Sequence, residues 1–355
     1  MAQTNTGHRR ARIGIIGAGW WAALNHIPAV RQHPDAELAA VCRLGDDELQ
    51  KLLHTFDILY GSQDYRRMLA EVPLDGVIIA SPHIAHAEHA RAALEAGCHV
   101  LVEKPFATSA QDARALRSLA AERSRGLMVP HAWNYKSYAA TARGFVADGR
   151  IGMVRHLVCQ MASPLTDLFA GEPMAETADH LFRPPADTWA TPGKAGGYGW
   201  GQLTHGLGLL AFVAPTLKPE AVTAIAGLSP AGVDYYDAAI VRFAGGATGV
   251  VSGSATVPKG SPFQVDIRLF GTEGMLLLDI ERERLILRRH DKVDADCEIA
   301  AGDGVPDGVV PLHRFIDLCL GRLTPQSATA WAPVMDIEIL DALYRSAASG
   351  KTEQV

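Results

Sequence analysis

Short apolar runs alternate with amphipathic segments through the first third of the chain. The apolar runs predict strands at residues 12–17, 38–42, 76–80, 99–102 and 127–131. The segments between them predict helices at residues 20–32 (interrupted near Pro28), 46–54 (with Asp46 or Asp47 as N-cap), 85–97 and 109–123 (with Ser109 as N-cap). Strands that are apolar on both faces and alternate with helices indicate a parallel sheet covered on both sides.

The pattern changes after residue 130. A helix at 137–147 and a strand at 154–162 precede an irregular stretch, residues 163–199, that is rich in Pro, Gly and Asp. Closely spaced strands follow at 221–228, 238–243, 248–255, 264–269, 275–280 and 285–289, and then helices at 312–319 and 334–348. We therefore predict an α/β chain of two domains. Residues 1–130 hold the parallel sheet, and residues 131–355 hold an antiparallel sheet, one face of which could carry a partner subunit.

The composition is that of an ordinary globular protein, with 355 residues, 48 % of them hydrophobic, and a formal net charge of −6. The length favours two domains, and the mildly acidic balance gives no footprint for nucleic acid or an anionic membrane. No apolar run is long enough to span a bilayer, and no signal core follows Arg9, Arg10 and Arg12. Five widely spaced cysteines without a Cys-x-x-Cys pair predict free thiols, so we expect a cytoplasmic protein.

A glycine-rich turn follows the first predicted strand. Residues 17–22 read Gly-Ala-Gly-Trp-Trp-Ala, a Gly-x-Gly-x-x-Ala pattern between a strand and a helix. Gly17 permits the tight turn, Gly19 lets phosphates approach the backbone, and Ala22 allows close packing of helix on strand. Because the helix N-terminus offers free N–H groups to a pyrophosphate, the turn predicts a dinucleotide site that includes Trp20 and Trp21.

The end of the second predicted strand indicates which dinucleotide binds. An acidic residue about 20 residues beyond the glycines normally bonds the adenosine ribose hydroxyls, but this chain has Arg43 there. A guanidinium can bind a 2′-phosphate, which an acid would repel. We therefore expect NADP(H) as the preferred cofactor. In the alternative, Arg43 stacks on adenine or lies in solvent, and Asp46 or Asp47 serves NAD(H).

A lysine follows the strand predicted at residues 99–102. Lys104 stands between Glu103 and Pro105, and an Xaa-Pro bond can be cis, which would aim the lysine into the cleft. Desolvation beside a nicotinamide would lower its pKa, so that it could exchange a proton with a substrate hydroxyl. We expect all three residues to border the cofactor. His205, in an apolar segment after a glycine-rich run, is the second candidate for proton transfer.

Other polar and aromatic residues are expected in the same cleft. The spacing of His83, His86 and His89 could suggest a metal, but no acidic or thiol partner is nearby, so we predict no metal site. Ser81, His83 and His86 are expected beside the nicotinamide half of the cofactor instead. Flat rings can stack on the apolar face of a sugar or carbocycle, or pack in the core. The candidate rings are Trp133, Tyr135, Trp189, Tyr198 and Trp200.

Taken together, these motifs resemble the glucose–fructose oxidoreductase, inositol dehydrogenase and MocA (Gfo/Idh/MocA) family. The resemblance runs through residues 13–22, 75–86 and 92–105, and more loosely to the last helix, and the Glu-Lys-Pro motif is its specific part. It implies an N-terminal Rossmann domain and a C-terminal α+β domain with a large, mostly antiparallel open sheet. Homodimers or homotetramers across that sheet are also implied. The resemblance further implies hydride transfer between NAD(P) and a carbinol or carbonyl carbon of a sugar, sugar derivative or cyclitol. It also implies that Lys104 is catalytic and that Pro105 is cis.

The chain departs from the family pattern around the histidine. Such proteins place one aspartate four residues before it and another three residues after it, where this chain has Gly201 and Gly208. The acid–base set is then Lys104 and His205, with Gln202 as a candidate hydrogen-bond donor to the substrate. Two alternatives stay open. One is a dehydrogenase of aromatic cis-dihydrodiols, which would use the same cleft, and the other is a non-catalytic regulatory protein that binds NADP.

Overall fold

A computed structural model describes residues 9–355, and its strands form two sheets. The strands of the first sheet are β1 Ala11–Ile16, β2 Ala36–Cys42, β3 Gly61–Ser62, β4 Gly76–Ile79, β5 His99–Val102 and β6 Leu127–Met128. They are parallel throughout, in the order β3-β2-β1-β4-β5-β6. The strand order reverses between β1 and β4, which is where a doubly wound sheet opens a crevice for ligands.

Helices bury both faces of this sheet. Val77 and Ile79 of β4 pack into one apolar cluster and Ile78 packs into another, so successive side chains enter opposite cores. A π-helical turn, Ala22–His26, leads into the first helix. The helices are α1 Ile27–Gln32, α2 Asp46–Phe56, α3 Tyr65–Glu71, α4 His86–Glu95 and α5 Ala110–Glu122.

The N-caps of two of these helices test the sequence directly. The side chain of Ser109 accepts a hydrogen bond from Asp112 N and caps α5, as predicted. The cap predicted for α2 is wrong, because the N-cap residue is Gly45 and no side chain caps the helix. Asp46 and Asp47 lie one and two positions further on, in the first turn, where their charges suit the positive end of the helix.

The second sheet is larger and mostly antiparallel. Its strands are β7 Val154–Ala162, β8 Pro219–Leu228, β9 Asp234–Phe243, β10 Thr248–Ser254, β11 Gln264–Gly271, β12 Gly274–Asp279, β13 Arg284–Arg289, β14 Ala295–Glu298 and β15 Glu353–Gln354. Their order is β14-β13-β12-β11-β7-β10-β9-β8-β15, and only β7 and β10 pair in parallel. The predicted fold class, a Rossmann-type sheet with a mostly antiparallel second sheet, is confirmed.

The helices of the second half divide between the two sheets. They are α6 Ser137–Ala147, α7 Thr166–Ala170, α8 Ala186–Trp189, α9 Thr204–Val213 (after a π-helical turn, Gly199–Leu203), α10 Val309–Cys319, α11 Pro325–Ala328 and α12 Met335–Ser349. Helices α9 and α12 pack on the second sheet, whereas α10 returns to the first sheet and packs against β4 and β5. The domain boundary predicted at residue 130 stays a prediction, and residues 1–8 of that first domain lie outside the described part.

Several short elements escaped prediction. Strands β3 and β15 have two residues each, too few to show a period, and α3 begins at an Asp64 cap that went unnoticed. The strand predicted at 127–131 ends at Met128, since Pro130 lacks the N–H that a ladder needs. Across residues 9–355, no helix combines the length and apolar character needed to cross a membrane.

Candidate active site

Three strand ends of the first sheet meet at one edge and carry the predicted site residues. Gly17 follows β1, Ser81 lies just beyond β4, and Lys104 lies two residues beyond β5. These strands are neighbours in the sheet, in the order β1, β4, β5. The carboxyl ends of parallel strands flanking a reversal in strand order form a ligand crevice, and these three residues border it.

The glycine turn fits a pyrophosphate. Gly17 has φ 82°, and a Cβ there would overlap the backbone of Ser81, so no larger residue fits. Gly17 N donates to Cys42 O at 2.9 Å, which fixes the turn over the end of β2. A Cβ on Gly19 would meet no atom closer than 3.7 Å, so the backbone there is open to a ligand. The helical segment that starts at Trp20 leaves the N–H groups of its first turn without intrahelical partners.

Arg43 extends from the end of β2 over this turn. Its Nη1 donates to Ala18 O at 3.0 Å, and its guanidinium carbon lies 3.9 Å from the ring centroid of Phe182. Two residues before Phe182 in the chain, His180 Nδ1 accepts a hydrogen bond of 2.9 Å from Trp20 Nε1. The irregular stretch 163–199 therefore reaches the glycine turn and covers part of it.

Glu103 forms a buried hydrogen-bond network beside the turn. Its Oε1 accepts hydrogen bonds from His26 Nε2 at 2.8 Å and Trp21 Nε1 at 2.9 Å, and its Oε2 accepts one from Lys104 N at 3.2 Å. Burial by itself would raise the pKa of Glu103, but the hydrogen bond from His26 and the charges of His26 and Lys104 outweigh it and lower the pKa. The network ties the π-helical turn to the end of β5.

Lys104 joins the two halves of the chain. Its peptide bond to Pro105 is cis, and its Nζ donates a 2.5 Å hydrogen bond to Gly201 O. The ammonium also lies 5.1 Å from the ring centroid of Trp189. Burial lowers the pKa of Lys104 to about 8, against the neighbouring Glu103 charge, which raises it. Lys104 is therefore a cation whose proton is more easily lost than that of an ordinary lysine.

His205 lies on α9 against the rings of His131 and Trp133. Its Nδ1 is 3.5 Å from His131 Nδ1, and its ring centroid is 5.8 Å from that of Trp133. Trp133 is itself buried, and its Nε1 donates to Gly304 O at 2.8 Å. Burial, followed by the charges of Lys104 and His131, lowers the pKa of His205 well below its ordinary value. At neutral pH the imidazole is therefore uncharged and able to accept a proton.

The predicted histidine of the cofactor region, His83, contacts the same loop as the lysine. Its Nδ1 lies 2.9 Å from Ala195 O, and its ring centroid is 4.9 Å from that of Trp189 in an edge-on arrangement. Burial is the main reason why the pKa of His83 falls to about 3. The structure thus brings His83, Trp189 and Lys104 together.

His86 and His89 are held by main-chain and hydroxyl groups near the same strand ends. His86 Nδ1 lies 2.7 Å from Pro105 O and its Nε2 lies 2.6 Å from Ser81 O, while His89 Nδ1 lies 2.9 Å from Ser81 Oγ. His86 therefore bridges the ends of β4 and β5. Among the residues that the structure describes, no three His, Cys, Asp or Glu side chains are grouped as a metal ion would need.

Two of the predicted substrate contacts stack on rings of the C-terminal part of the chain. Trp200 stacks on Tyr344 with centroids 5.1 Å apart, and Tyr135 stacks on Trp331 at 5.2 Å. Another ring therefore occupies one face of each, and the expected stacking on a substrate stays a prediction for the other face. Both of these rings come from α12 and the segment before it, far away in the sequence. Gln202 is buried next to the carbonyl that holds Lys104.

Sequence reasoning missed five residues of this region. His131 follows β6 at the same sheet edge as Lys104, and that position is a signal that could have identified it. The other four meet the site only through long-range packing, which leaves no local pattern. The missed residues are His26, His131, His180, Phe182 and Asp336.

The parallel sheet, its glycine turn and the lysine beyond β5 define a dinucleotide-binding protein of the Rossmann type. Residues 11–131 match the model of an oxidoreductase family with an NAD-binding Rossmann fold, GFO_IDH_MocA. Residues 139–277 match the GFO/IDH/MocA C-terminal domain. The chain belongs to the GFO/IDH/MocA family of oxidoreductases, as its motifs suggested.

Individual relatives are more distant. dTDP-3,4-didehydro-2,6-dideoxy-alpha-D-glucose 3-reductase of Streptomyces violaceoruber is 32 % identical over 164 residues, 45 % of this chain and 48 % of that protein. The 1-carboxy-3-chloro-3,4-dihydroxycyclo hexa-1,5-diene dehydrogenase of Comamonas testosteroni is 27 % identical over 203 residues, 57 % of this chain and 47 % of that protein. The chain spans about half the length of the curated relatives it matches.

A solved structure extends the fold comparison over the whole chain. GenD2 from gentamicin A biosynthesis, crystallised in complex with NAD, superposes with a TM-score of 0.73 at 23 % identity. The superposition covers 100 % of this chain and 99 % of that one, so the two share their fold from end to end.

Proposed function

We propose that this chain is an NAD(P)-dependent oxidoreductase that transfers a hydride between a nicotinamide and a carbinol or carbonyl carbon of a sugar, a sugar derivative or a cyclitol. The observation that carries the proposal is the hydrogen bond from Lys104 Nζ to Gly201 O. It brings the lysine of the Rossmann edge to the segment that continues into His205. Membership of an oxidoreductase family and a relative named for a sugar 3-reductase support this class.

His205 and Lys104 are the proposed catalytic residues. Because the pKa of His205 lies well below its ordinary value, the neutral ring can accept the proton of a substrate hydroxyl. Lys104, with a pKa of about 8, is mostly charged at neutral pH and can donate a hydrogen bond to the same oxygen. When bound, the nicotinamide supplies the acceptor or donor of the hydride.

The cofactor is proposed to lie along the strand ends of the first sheet. The glycine turn would hold the pyrophosphate at open backbone N–H groups, and the ends of β4 and β5 would border the nicotinamide. The residues in these roles are Gly17, Gly19, Trp20, Trp21, Ala22, Arg43, Ser81, His83, His86, Glu103, Lys104 and Pro105.

Turnover tests the proposal. NADPH and NADH oxidation are followed with a panel of keto-sugars, and the reverse reaction with polyols and free sugars. We expect Lys104→Ala still to bind the dinucleotide and to lose at least about 99 % of turnover. Lys218→Ala, which removes an exposed lysine before β8, is the matched control. Unchanged turnover in Lys104→Ala would remove the lysine from the mechanism.

We also propose that NADP(H) is preferred over NAD(H). The residue at the end of β2 is a cation, Arg43, and its guanidinium is already held at the glycine turn by Ala18 O. Arg43→Asp is expected to move the NADP/NAD ratio of kcat/KM toward NAD by at least about tenfold, since an acid repels a 2′-phosphate. Arg31→Asp, at an exposed arginine of α1, carries the same charge change away from the strand ends. An equal ratio in wild type and Arg43→Asp contradicts the preference.

A second candidate substrate class is an aromatic cis-dihydrodiol. The relative from Comamonas testosteroni is named as a dehydrogenase of a dihydroxycyclohexadiene, and the partly exposed Trp189 offers a flat apolar ring beside Lys104. Adding cis-dihydrodiols to the substrate panel separates the two classes. If no compound is turned over while NADP binds tightly, the chain is a regulatory NADP-binding protein.

The assembly and location that we propose follow from the second sheet and the thiols. Ile225, Ile240 and Val250 lie exposed on one face of β8, β9 and β10, which suits a homodimer or homotetramer built across that face. Five free cysteines fit a reducing compartment such as the cytoplasm. We keep the domain division at residue 130, with α10 crossing back to the first sheet.

A further inference from the structure

A buried histidine and a buried aspartate form a row with His205. His131 Nδ1 is 3.5 Å from His205 Nδ1, and His131 Nε2 is 3.2 Å from Asp336 Oδ2. His131 and Asp336 are only 1 % and 0 % exposed. The three side chains come from three separate elements: the segment after β6, α9 and the first turn of α12. The row therefore leads from the candidate active site into the interior.

The ring of His131 occupies space that a glycine leaves on α9. A Cβ at Gly208 would lie 2.7 Å from His131 Cδ2 and Nε2, so any side chain at that position would displace the ring. Asn134 Nδ2 donates to Gly208 O at 3.1 Å and holds the segment of His131 against the helix. The contact between His131 and α9 is thus built into both elements.

The other glycine beside His205 leaves no room for a carboxylate either. A Cβ at Gly201 would meet Phe169 Cε1 at 2.7 Å and Trp189 Cζ3 at 3.2 Å. The helix of His205 therefore carries no acid at either position. The carboxylate of the row comes from α12 and reaches His205 through His131.

Among the described residues, His131 is the one ion-pair partner of Asp336. The Oδ1 of Asp336 is buried without a hydrogen-bond partner. A buried carboxylate in this state stabilises positive charge on its neighbour far more than an exposed one would. Positive charge that enters the row is therefore best accommodated on His131.

We propose that His131 and Asp336 are positioning residues that fix the tautomer of His205 and share the positive charge that it acquires. This inference rests on the function proposed above, because it assigns His205 a proton to receive. Asp336 accepts the Nε2–H of His131, which leaves His131 Nδ1 as an acceptor. His205 then carries its own proton on Nδ1 and presents Nε2 as the base.

The proton balance follows from this arrangement. In oxidation, the substrate O–H bond breaks and its proton goes to His205 Nε2, while the hydrogen on carbon leaves with both electrons of the C–H bond to the nicotinamide. The Nδ1–H bond of His205 then breaks, and that proton moves to His131 Nδ1. His131 becomes an imidazolium beside the Asp336 carboxylate. In reduction, both protons return along the same path.

The titratable groups around the row are few. Lys104, from the end of β5, and His131 are the groups whose charges act on His205. His131 is in hydrogen-bond contact with His205 on α9 and Asp336 on α12. Because Lys104 is cationic and Asp336 anionic, the two ends of the row pull the added proton away from the lysine and toward the interior.

The experiment reads imidazole tautomers and titration directly by long-range 1H–15N NMR on the full-length protein without substrate. His131→Gln and His205→Gln provide the assignments. In the wild type we expect His131 to carry its proton on Nε2 and His205 on Nδ1. A neutral His131 protonated on Nδ1 would overturn the proposal, and this measurement needs no turnover.

Asp336→Asn, which keeps the shape and removes the charge, is then compared with the wild type. We expect the His131–His205 pair to take up its proton at least about one pH unit lower, and kcat to fall about 10- to 100-fold with KM within about threefold. The acidic limb of the kcat profile should move to lower pH by the same amount as the NMR midpoint. Ser346→Ala, another fully buried polar residue of α12, is the matched control and should move neither.

The outcomes separate this inference from the proposed function. Equal titration of the His131–His205 pair in Asp336→Asn and the wild type, together with an unshifted profile, would overturn the positioning role while Lys104-dependent turnover stands. Absence of turnover in the wild type would overturn the proposed function, whereas the tautomers would still be measured. If Asp336→Asn does not fold, His131→Gln gives the same reading, since it also disconnects His205 from the carboxylate.

Discussion

One buried carboxyl group outside the candidate site lacks the hydrogen bonds that usually stabilise a buried charge. Asp237, on β9, is 2 % exposed, and neither of its oxygens has a hydrogen-bond partner. Asp234, on the same strand, accepts hydrogen bonds from Gly199 N at 2.7 Å and Tyr344 Oη at 2.9 Å. Burial, and then the neighbouring charge of Asp234, raise the pKa of Asp237 well above its ordinary value of 3.8.

The raised pKa predicts a stability that falls as the pH rises. The folded chain holds a proton on Asp237 that the unfolded chain has lost, so the free energy of unfolding decreases from pH ~4 up to the raised pKa. Asp237→Asn removes this loss, and we expect it to be more stable than the wild type by about 1–3 kcal/mol at pH 8. Near pH 3.5 the difference should shrink to its smallest value. Urea unfolding at several pH values measures it.

Asp179→Asn is the control for this prediction, because Asp179 is exposed. Its free energy of unfolding should follow the wild-type pH dependence. A wild type and an Asp237→Asn variant with parallel pH profiles would show that Asp237 is ionised in the folded protein at no cost.

Among individual residues, the sequence identified those that follow a recognisable local pattern. Lys104 follows an apolar strand and His205 follows a glycine-rich run, and both could be selected on that basis. His131 and Asp336 meet across 205 positions of sequence, and their contact depends on where α12 packs. No spacing rule predicts such a contact. The sequence therefore showed that the helix of His205 lacks an aspartate, but it could not show that Asp336 takes its place.

Helix α10 is the element whose place is most informative. A Cβ on Gly76 of β4 would overlap Cys319 Sγ and lie 2.7 Å from Phe315 Cζ, so the helix rests directly on the strand. Phe315 is fully buried in the apolar cluster that contains Ile78 and Leu101. The first sheet therefore completes one of its faces with a helix from the far end of the chain.

This packing predicts which sheet depends on α10. Phe315→Ala leaves a cavity over β4 and is expected to cost about 3–5 kcal/mol of unfolding free energy. Hydrogen exchange followed by mass spectrometry should show faster exchange in peptides of β1, β4 and β5 than in peptides of β8 and β9.

Leu278→Ala provides the opposite case, because Leu278 is equally buried but lies in β12 of the second sheet. Its exchange should rise in the second sheet instead. Faster exchange of both sheets in both variants would mean that the two sheets unfold as one unit. Helix α10 would then not stabilise the first sheet selectively.

Element prediction succeeded where apolar runs were long enough to show a period. Strand β7 and helix α6 have the predicted bounds, and most other strands differ by a few residues at their ends. Prediction failed for the two-residue strands β3 and β15, which exist only because a neighbouring strand offers its edge. It also missed the side of the molecule on which α10 packs, since an amphipathic helix does not specify which sheet it covers.

At the scale of the whole molecule, the outer face of the second sheet carries an apolar patch. Ile240 is 63 % exposed and pairs with Thr223 of β8 and Val250 of β10, so neighbouring strands extend the same surface. Ile225 and Tyr236 continue it, at 74 % and 46 % exposed. The opposite face is covered by α9 and α12, so this one is available to another subunit.

We expect Ile240→Asp to weaken self-association by at least about tenfold in the dissociation constant, since it buries an unpaired charge at the centre of the face. Sedimentation velocity over a range of concentrations measures the effect. Leu59→Asp is the control, because Leu59 is 99 % exposed next to the first sheet. Monomeric wild type, or an association that both variants disturb equally, contradicts the assignment of this face.

The stretch of residues 163–199 contacts both ends of the candidate site, through His180 beside Trp20 and through Trp189 beside Lys104. A single piece of backbone is therefore in position to respond to a dinucleotide at one end and to a second reactant at the other. Any free energy gained when the first ligand orders this piece changes the affinity for the second, and reciprocity requires the same factor in the reverse direction. The dinucleotide should therefore change the dissociation constant of the second reactant, and the second reactant should change that of the dinucleotide by the same factor.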